Sequence, residues 1–278
     1  MFVILFGLFA AAELAIPRRA LVANKAKRWM SNLSLVAINT IVMRFAAPLS
    51  LVALADFARS KDWGLFNNVD LPAWLVAVLA VIALDFVIYL QHVLFHALPM
   101  LWRLHRVHHA DLDLDVTTGL RFHTLEILLS LGVKFVAVVS LGVPPIAVLV
   151  FEILLNGTSI FNHANIKLPT WLDRMLRLVV VTPDMHRIHH SVHAEESNTN
   201  FGFNLPWWDY LLGTYLAAPA QPHETMALGL ADMRDEETAN RLPAMLSLLF
   251  RSQGGTNVDE VAHAKAQSRE EKNNSVDI

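Results

Sequence analysis

The hydrophobic pattern of the chain consists of apolar regions separated by short polar segments. These regions cover residues 1–16, 33–57, 71–96 and 125–162. The last region is interrupted near its centre by the sequence GVPP at 142–145. Because adjacent prolines end helices, this region is predicted to form a helical hairpin with two arms of about 17 residues. Each arm would reach about 25 Å, barely enough for a hydrocarbon core of about 30 Å, so the hairpin either spans a thinned bilayer or only dips into the membrane.

The composition supports a membrane protein. Hydrophobic residues make up 54% of the 278 residues and charged residues only 17%, whereas soluble domains carry about a quarter of charged residues. Basic residues follow the first apolar region instead of preceding it, which favours a membrane helix over a cleaved signal peptide. The fold is therefore predicted to be all-α and polytopic, with about three long transmembrane helices plus the hairpin.

Composition also divides the chain and excludes several classes of function. The predicted units are N-terminal transmembrane helices at 1–70, a catalytic domain at 71–217, a C-terminal segment at 218–252 and a disordered tail at 253–278. The net charge of −3 gives no reason to expect nucleic-acid binding. The absence of cysteine excludes disulfides, thiolate ligands and a built-in iron–sulfur cluster.

The distribution of basic residues predicts the orientation in the membrane. The segment between the first two apolar regions holds Arg18, Arg19, Lys25, Lys27 and Arg28 without an acid. The positive-inside rule places this segment in the cytoplasm. Counting spans from there places the chain on the cytoplasmic side just after the third region and again just after the hairpin.

Repeated histidine clusters supply the candidate chemistry. The sequence HRVHH at 105–109 recurs as HRIHH at 186–190, and His92 and His96 precede the first block. Residues three and four apart share a helix face, so each cluster can direct several imidazoles toward one point. Eight histidines exceed the needs of one ion, which predicts a two-metal site on the cytoplasmic face. Each block would contribute to both metals or mainly to one.

Further candidates surround these clusters. His163 and His123 lie at the two feet of the hairpin; His163 is predicted to be a ligand and His123 is a possible one. Asp85 and Tyr89 share the helix face of His92. Asp85 is interpreted either as an acceptor for the second N–H of a ligand histidine or as half of a buried structural pair.

Charged residues near the hairpin and the blocks allow further interpretations. Lys134 and Glu152, in opposite arms, are expected to pair within the membrane. Arg103, Arg106 and Arg187 are interpreted either as steering an acidic electron carrier, or as contacting lipid phosphates or reflecting only the positive-inside bias.

Three histidine motifs in order resemble the histidine boxes of the fatty acid hydroxylase/sterol desaturase superfamily. The motifs are HVLFH, HRVHH and HRIHH, and the resemblance covers roughly residues 80–217. It includes LRFH-x2-E at 120–126, TPDMHRIHHS at 182–191 and Asn200-Phe201-Gly202. Two departures leave the ninth and tenth ligands open: Thr124 follows His123 where relatives often have proline, and His163 stands alone where some relatives have a pair.

The resemblance implies a membrane-bound, non-haem di-iron oxygenase. The implied iron ligands are His92, His96, His105, His108, His109, His186, His189 and His190, with another from the segment around His163. It also implies O2 as co-substrate, a separate electron-transfer protein, and hydroxylation or desaturation of a C–H bond in a lipid or sterol-like substrate. A metal-ion transporter and a di-zinc hydrolase are the alternative functions for the same histidines.

Overall fold

The structure, a computed structural model, describes residues 2–46 and 50–251. These residues form α-helices connected by turns and isolated β-bridges, with no β-strand among them. The predicted all-α class is therefore confirmed. The predicted tail at 253–278, which contains His263, lies outside the described residues, and the division of the chain into units stays a prediction.

The described residues contain thirteen α-helices in chain order. They are α1 (Phe2–Ala15), α2 (Lys25–Ala46), α3 (Leu51–Ser60), α4 (Ala73–Ala97), α5 (Pro99–His109), α6 (Thr124–Leu141), α7 (Pro145–His163), α8 (Thr170–Leu176), α9 (Pro183–His189), α10 (Ala194–Ser197), α11 (Trp207–Leu212), α12 (Glu236–Asn240) and α13 (Leu242–Ser247).

Four segments are long and apolar enough to cross a membrane. They are Lys25–Ser60, which includes residues outside the described ranges, Ala73–Ala97, Thr124–Leu141 and Pro145–His163. The first of these begins earlier than the predicted region at 33–57, because α2 extends back into the basic segment. α1 is apolar but has only 14 residues, and it would reach about 21 Å.

The predicted hairpin consists of α6 and α7, and its turn is built from glycine and proline. Gly142 ends α6 with a φ of +67°, a left-handed conformation that favours glycine. Pro145 begins α7, where a missing N–H is tolerated. Gly64 packs so closely on Gly142 that an added Cβ would overlap its backbone. This turn lies at the end of the bundle opposite to the histidines.

The bundle has a clear polarity along its axis. α1 ends beside the polar cap that holds the histidines, because Glu13 accepts backbone hydrogen bonds from Val116 and Asn165 at 2.8 and 2.9 Å. α2 begins at the same cap, where Arg28 is paired with Asp111 at 2.7 Å. α4 and α7 both run toward this cap and α6 runs away from it. All three histidine boxes therefore lie at one end of the membrane helices.

Several of the basic residues on which the predicted orientation depends are buried or paired in the structure. Arg28 is completely buried, Arg18 is paired with Asp184 at 3.0 Å, and Arg19 is largely buried. Three of the five basic residues in the first segment are thus held inside the protein. The cytoplasmic location of the histidine face stays a prediction with weaker support from the positive-inside rule.

Candidate metal centre

The C-terminal end of α4 supplies the first two histidines. His92 and His96 are one helical turn apart and both are buried. Leu98 then turns the chain, and Pro99 begins α5 at a position where proline stabilises a helix start. This tight connection folds α5 back on α4, so that the Nε2 atoms of His92 and His105 lie 3.1 Å apart.

The second HRxHH block lies on a very short helix. α9 begins after Thr182, whose hydroxyl accepts a hydrogen bond from the backbone N–H of Met185, and Pro183 occupies its first position. His190 follows as the C-cap. α9 has only seven residues, and two of the three histidines of the block lie on it.

The structure brings nine histidines together in two groups. The five-histidine group contains His92, His96, His105, His109 and His189. The four-histidine group contains His108, His163, His186 and His190. Within each group the candidate ligand nitrogens all lie within 4.8 Å of one another, and every member is buried. Each HRxHH block therefore contributes to both groups, which is the first of the two arrangements that the spacing allowed.

The contacts inside the groups fit metal ions better than hydrogen bonds. The Nε2 atom of His189 lies 3.0 Å from that of His92, and Nε2 of His163 lies 3.1 Å from those of His108 and His186. A neutral imidazole has only one N–H, so several nitrogens converging on one point leave lone pairs facing each other. A cation at each centre would remove this repulsion, and buried imidazoles are the ligands that Fe, Zn, Cu and Ni accept.

Hydrogen bonds at the Nδ1 atoms orient the rings of the five-histidine group. Nδ1 of His92 donates to the carbonyl of Phe201 at 2.7 Å, and Nδ1 of His189 donates to the carbonyl of Thr199 at 2.8 Å. Each acceptor directs the Nε2 lone pair of its histidine toward the centre. The sequence did not identify these carbonyls, because a backbone acceptor carries no residue signature.

Glu126 is a further candidate site residue, which the sequence analysis did not single out. Its Oε1 accepts a hydrogen bond from Nδ1 of His105 at 2.6 Å, and the carboxylate is buried. A carboxylate in this position makes the imidazole a stronger ligand. The residue lies within LRFH-x2-E, so the motif contained the signal, but the pairing with His105 required the structure.

Some of the histidines lie outside the membrane-spanning helices. Burial favours the neutral form of their imidazoles, which is the form that binds a metal. Burial lowers the pKa of His108, His109, His186 and His190 well below the usual value, and neighbouring imidazoles lower it further. The pKa of His189 falls to about 3 for the same main reason, desolvation. A neutral imidazole is the form that binds a metal, so these groups need no deprotonation at neutral pH.

His123 is not part of either group. Its Nδ1 accepts a hydrogen bond from the backbone N–H of Leu125 at 3.2 Å, so it caps the start of α6. His163, at the other foot of the hairpin, belongs to the four-histidine group, and its Nδ1 donates to the carbonyl of Ser159 at 2.7 Å. The ligand roles of the predicted histidines stay predictions, and the geometry gives His123 a structural contact instead.

Asp85 and Tyr89 bind neighbours other than the histidines. Asp85 accepts hydrogen bonds from the indole N–H of Trp208 at 2.8 Å and from the backbone of Leu205 at 3.3 Å. The hydroxyl of Tyr89 lies 2.9 Å from that of Thr214. The two residues therefore attach α4 to the loop around α11. That loop also carries Phe201, so their effect on His92 is indirect.

A buried ionic network supports the chain that follows the first HRxHH block. The guanidinium of Arg28 pairs with Asp111 at 2.7 Å and with Asp115 at 2.9 Å, and all three side chains are fully buried. Asp113 accepts hydrogen bonds from the backbone of Val22 and Ala23. The acidic sequence DLDLD at 111–115 thus binds an arginine and backbone amides.

The arginines near the blocks lie deeper than expected. Arg106 is 2% exposed and Arg187 is 0% exposed, and Arg187 pairs with Asp184. The interpretation that these two steer an electron carrier or contact lipid phosphates is wrong, since neither reaches the surface. Arg103 alone of the three is exposed.

A cavity of about 480 Å³ lies against the five-histidine group. His92, His105 and Glu126 form part of its wall, and it extends between α2, α4, α6 and α7 as far as Lys134 and Glu152. Most of a drug-sized ligand is buried in cavities of about 300–1,000 Å³. The geometry can therefore hold a substrate beside the five-histidine group.

Comparison with known proteins gives consistent matches. Residues 77–214 match the family described as fatty acid hydroxylase. The chain is 34% identical over 178 residues to an ornithine lipid hydroxylase of Rhizobium tropici, covering 64% of this chain and 52% of that protein. It is 30% identical over 165 residues to the alkylglycerol monooxygenase of Homo sapiens, covering 56% of this chain and 34% of that protein.

A third relative extends this set. The chain is 29% identical over 170 residues to the cholesterol 25-hydroxylase of Rattus norvegicus, covering 60% of this chain and 56% of that protein. The chain thus spans between about a third and just over half of the length of these relatives. No solved structure shows a significant match.

Proposed function

Since residues 77–214 belong to the fatty acid hydroxylase family, we propose that this protein is a membrane-bound, O2-dependent di-iron oxygenase. Its reaction is the hydroxylation of a C–H bond of a lipid. The relatives named as acting on an ornithine lipid, an alkylglycerol and cholesterol support a lipid or sterol-like substrate. Desaturation of the same substrate is the alternative outcome of the same chemistry.

The observation that carries the proposal is the pair of buried imidazole groups, one of which lines a cavity. The five-histidine group offers more ligands than the four that structural zinc takes and the three that catalytic zinc takes. This ligand number favours iron over the di-zinc alternative. The histidines also gather at one end of the membrane helices, whereas transporters place their ligands near the midplane.

The residues of the chain would hold and orient the reacting partners. Two ferrous ions bound to the histidines would supply activation of O2, in the overall reaction R–H + O2 + 2e⁻ + 2H⁺ → R–OH + H2O. The carboxylate of Glu126 holds the proton on Nδ1 of His105 and so keeps Nε2 free as a ligand. The cavity would place a substrate C–H bond next to His92 and His105 and exclude bulk water.

The two electrons require a separate donor. The 278 residues contain no cysteine, so they cannot hold an iron–sulfur cluster through thiolates. We therefore expect an electron-transfer protein to dock on the histidine face of the molecule.

The protein is integral to the membrane, and we propose that its histidine face is cytoplasmic. The absence of cysteine makes a direct test possible, because single cysteines can be introduced without background. Arg103→Cys lies on the histidine face and Lys61→Cys on the opposite end, and both positions are exposed. In intact cells an impermeant thiol reagent should label only Lys61→Cys; labelling of Arg103→Cys alone would reverse the orientation.

The function is tested by lipid mass spectrometry with isotopic oxygen. Cells that express the protein under ¹⁸O2 should contain one lipid class that gains a single ¹⁸O atom, and purified protein should hold about two iron ions per chain. Cells that express His105→Ala should lack the product. Stoichiometric zinc with activity under anaerobic conditions would support the hydrolase, and metal uptake into vesicles would support the transporter.

A further inference from the structure

One wall of the cavity carries a polar stripe inside a membrane helix. Glu126, Ser130 and Lys134 on α6 line the cavity at a spacing of four residues. Residues at this spacing share one helix face, so α6 presents a continuous polar edge to the cavity. Polar residues within membrane helices are costly and face interior or water-filled spaces, where they mark substrate pathways.

The facing helix repeats this pattern. Glu152, Asn156 and Ser159 on α7 line the same cavity at spacings of four and three. The wall formed by α2 and α4 mixes apolar with polar side chains. It includes Val36, Met43, Ile88 and Phe95 together with Asn39, Thr40 and Gln91. A site for a plain hydrocarbon chain would have no use for polar side chains along its length, so the cavity is shaped for an amphiphile.

An ion pair marks the end of the polar stripes farthest from the histidines. Lys134 Nζ and Glu152 Oε1 are 2.7 Å apart, as expected from their places in the two arms. Lys134 lies ten residues into α6 and Glu152 eleven residues before the end of α7. Both are therefore about 15 Å from the histidine end. The side chains keep 15% and 30% exposure, so each is accessible from the cavity.

Two acceptor atoms near the histidines have no partner among the described residues. Gln91 donates its amide to the hydroxyl of Ser130 at 2.8 Å, but its Oε1 is buried without a donor. Glu126 uses Oε1 for His105, and its Oε2 is likewise buried without a donor. A buried acceptor without a donor is unfavourable, and both residues line the cavity. A ligand with N–H or O–H groups would satisfy both atoms.

A second cavity offers a route for an apolar chain. It has a volume of about 320 Å³ and lies between α1 and α7. Its walls include Phe2, Leu5 and Gly157, and it shares Phe2, Glu152 and Asn156 with the first cavity. A substrate that extends past the ion pair would therefore enter this groove between α1 and α7, where Phe2, Leu5 and Ile153 offer apolar contacts.

Building on the proposed function, we infer that the first cavity binds the polar head group of an amphiphilic substrate. Hydrogen-bond donors at the tip of the head group face Gln91 and Glu126. Charged groups at the base of the head group face the Lys134–Glu152 pair, and the chain leaves from there through the groove between α1 and α7. The hydroxylated C–H bond then lies in or next to the head group and not in the distal chain. The overall reaction is the hydroxylation written under the proposed function, with O2 and two electrons consumed.

Two probes with the same chain distinguish this arrangement. Nα-dodecanoyl lysine carries an amide, a carboxylate and an ammonium group, whereas dodecane is the chain alone. Binding is measured by the thermal shift of the purified protein, and the oxidised position by fragmentation of the product. We expect the wild type to bind the acyl lysine at least about tenfold more tightly, because hydrogen bonds to charged groups are stronger than those between neutral groups. The added oxygen should lie on the lysine part.

Variants of the ion pair separate recognition from structural support. The double variant Lys134→Met/Glu152→Met replaces the pair by apolar side chains of similar length, a change that buried pairs often tolerate. In this variant the ratio of the affinities for the acyl lysine and for dodecane should fall about tenfold. Gln91→Leu should lower the same ratio by a similar factor. The matched control is Asp56→Asn/Arg59→Gln, which removes an exposed ion pair of α3 and should keep the preference.

Several outcomes would overturn the inference. These are equal binding of the two probes by the wild type, oxygen added to the acyl chain, or a double variant with unchanged preference and lower thermal stability. The binding comparison decides even if neither probe is oxidised. Failure of the proposed function would show differently, as the absence of any O2-dependent lipid product in expressing cells.

Discussion

The two histidine groups are built from the same pentapeptides, yet they differ in support and in access. Two members of the five-histidine group, His92 and His105, line the cavity, whereas no member of the four-histidine group does so. Three rings of the first group have an Nδ1 acceptor: the carbonyls of Phe201 and Thr199 and the carboxylate of Glu126.

The four-histidine group has much less support at Nδ1. Only His163 has an acceptor, the carbonyl of Ser159, while the Nδ1 atoms of His108, His186 and His190 have no partner among the described residues. Fixed rings and a neighbouring cavity suit the site at which substrate and oxygen meet. We infer that the five-histidine group is the substrate-facing site and the four-histidine group is its supporting partner.

The largest expected effect comes from removing one ligand of either group. His105→Ala and His190→Ala should each lose about one metal ion per chain and more than about 100-fold of activity, beyond the 10–100-fold typical of an outer partner. Only His105→Ala should also change lipid binding by the metal-free protein, because only His105 lines the cavity. Metal analysis, product yield and thermal shift measure these effects.

Controls for this pair of variants lie outside both groups. His193→Ala, at an exposed position, and His263→Ala, outside the described residues, should keep metal and activity. Equal changes in lipid binding for His105→Ala and His190→Ala would contradict the inferred difference between the two groups.

The next effect concerns the buried ionic network that supports the chain after the first HRxHH block. Arg28→Met leaves Asp111 and Asp115 buried without their cation, which should lower the free energy of unfolding by about 3–5 kcal/mol. Thermal unfolding in a fixed detergent measures the change, with Lys27→Met on the exposed neighbour as control. Unchanged unfolding of Arg28→Met would show that the network adds nothing to the stability of this region.

Glu126 tests the support of the five-histidine group. Glu126→Gln keeps the size of the side chain but removes the charge that strengthens His105 as a ligand, so metal affinity or activity should fall about 10–100-fold. Glu195→Gln, on an exposed position of α10, is the matched control. Wild-type metal affinity and activity in Glu126→Gln would mean that the carboxylate only orients the ring.

Chelation compares the two groups directly. The four-histidine group has fewer ligands and fewer fixed rings, so a chelator titrated into the loaded protein should remove its ion at about tenfold lower concentration. The release curve should have two phases, and His190→Ala should lack the phase at low chelator concentration. A single phase in the wild type would indicate that the groups hold their ions equally.

The smallest effect is expected at His123, because its observed contact is a helix cap. His123→Ala should lower stability by about 0.5–2 kcal/mol while metal content and activity stay within about twofold. His123→Asn, which can also cap a helix, should restore the stability. Loss of a metal ion from both variants would instead make His123 a ligand.

Local sequence signals determined much of what the structure contains. The GVPP turn of the hairpin, the long apolar helices and the grouping of histidines at one end follow from patterns within about 25 residues, where periodicity and proline act. The stripe Glu126, Ser130 and Lys134 is also readable at a spacing of four, although its meaning depends on what it faces. The histidine spacing predicted two metals for the same local reason.

Only the tertiary structure decided how the nine histidines divide between two groups and what holds them. His92 meets His189 across 97 positions, and its ring is fixed by a carbonyl 109 positions away. Arg28 pairs with Asp111, 83 positions away, and so makes the acidic segment part of a structural network. Such contacts depend on how helices pack against each other, and packing selects among partners that the spacing along the chain leaves equivalent.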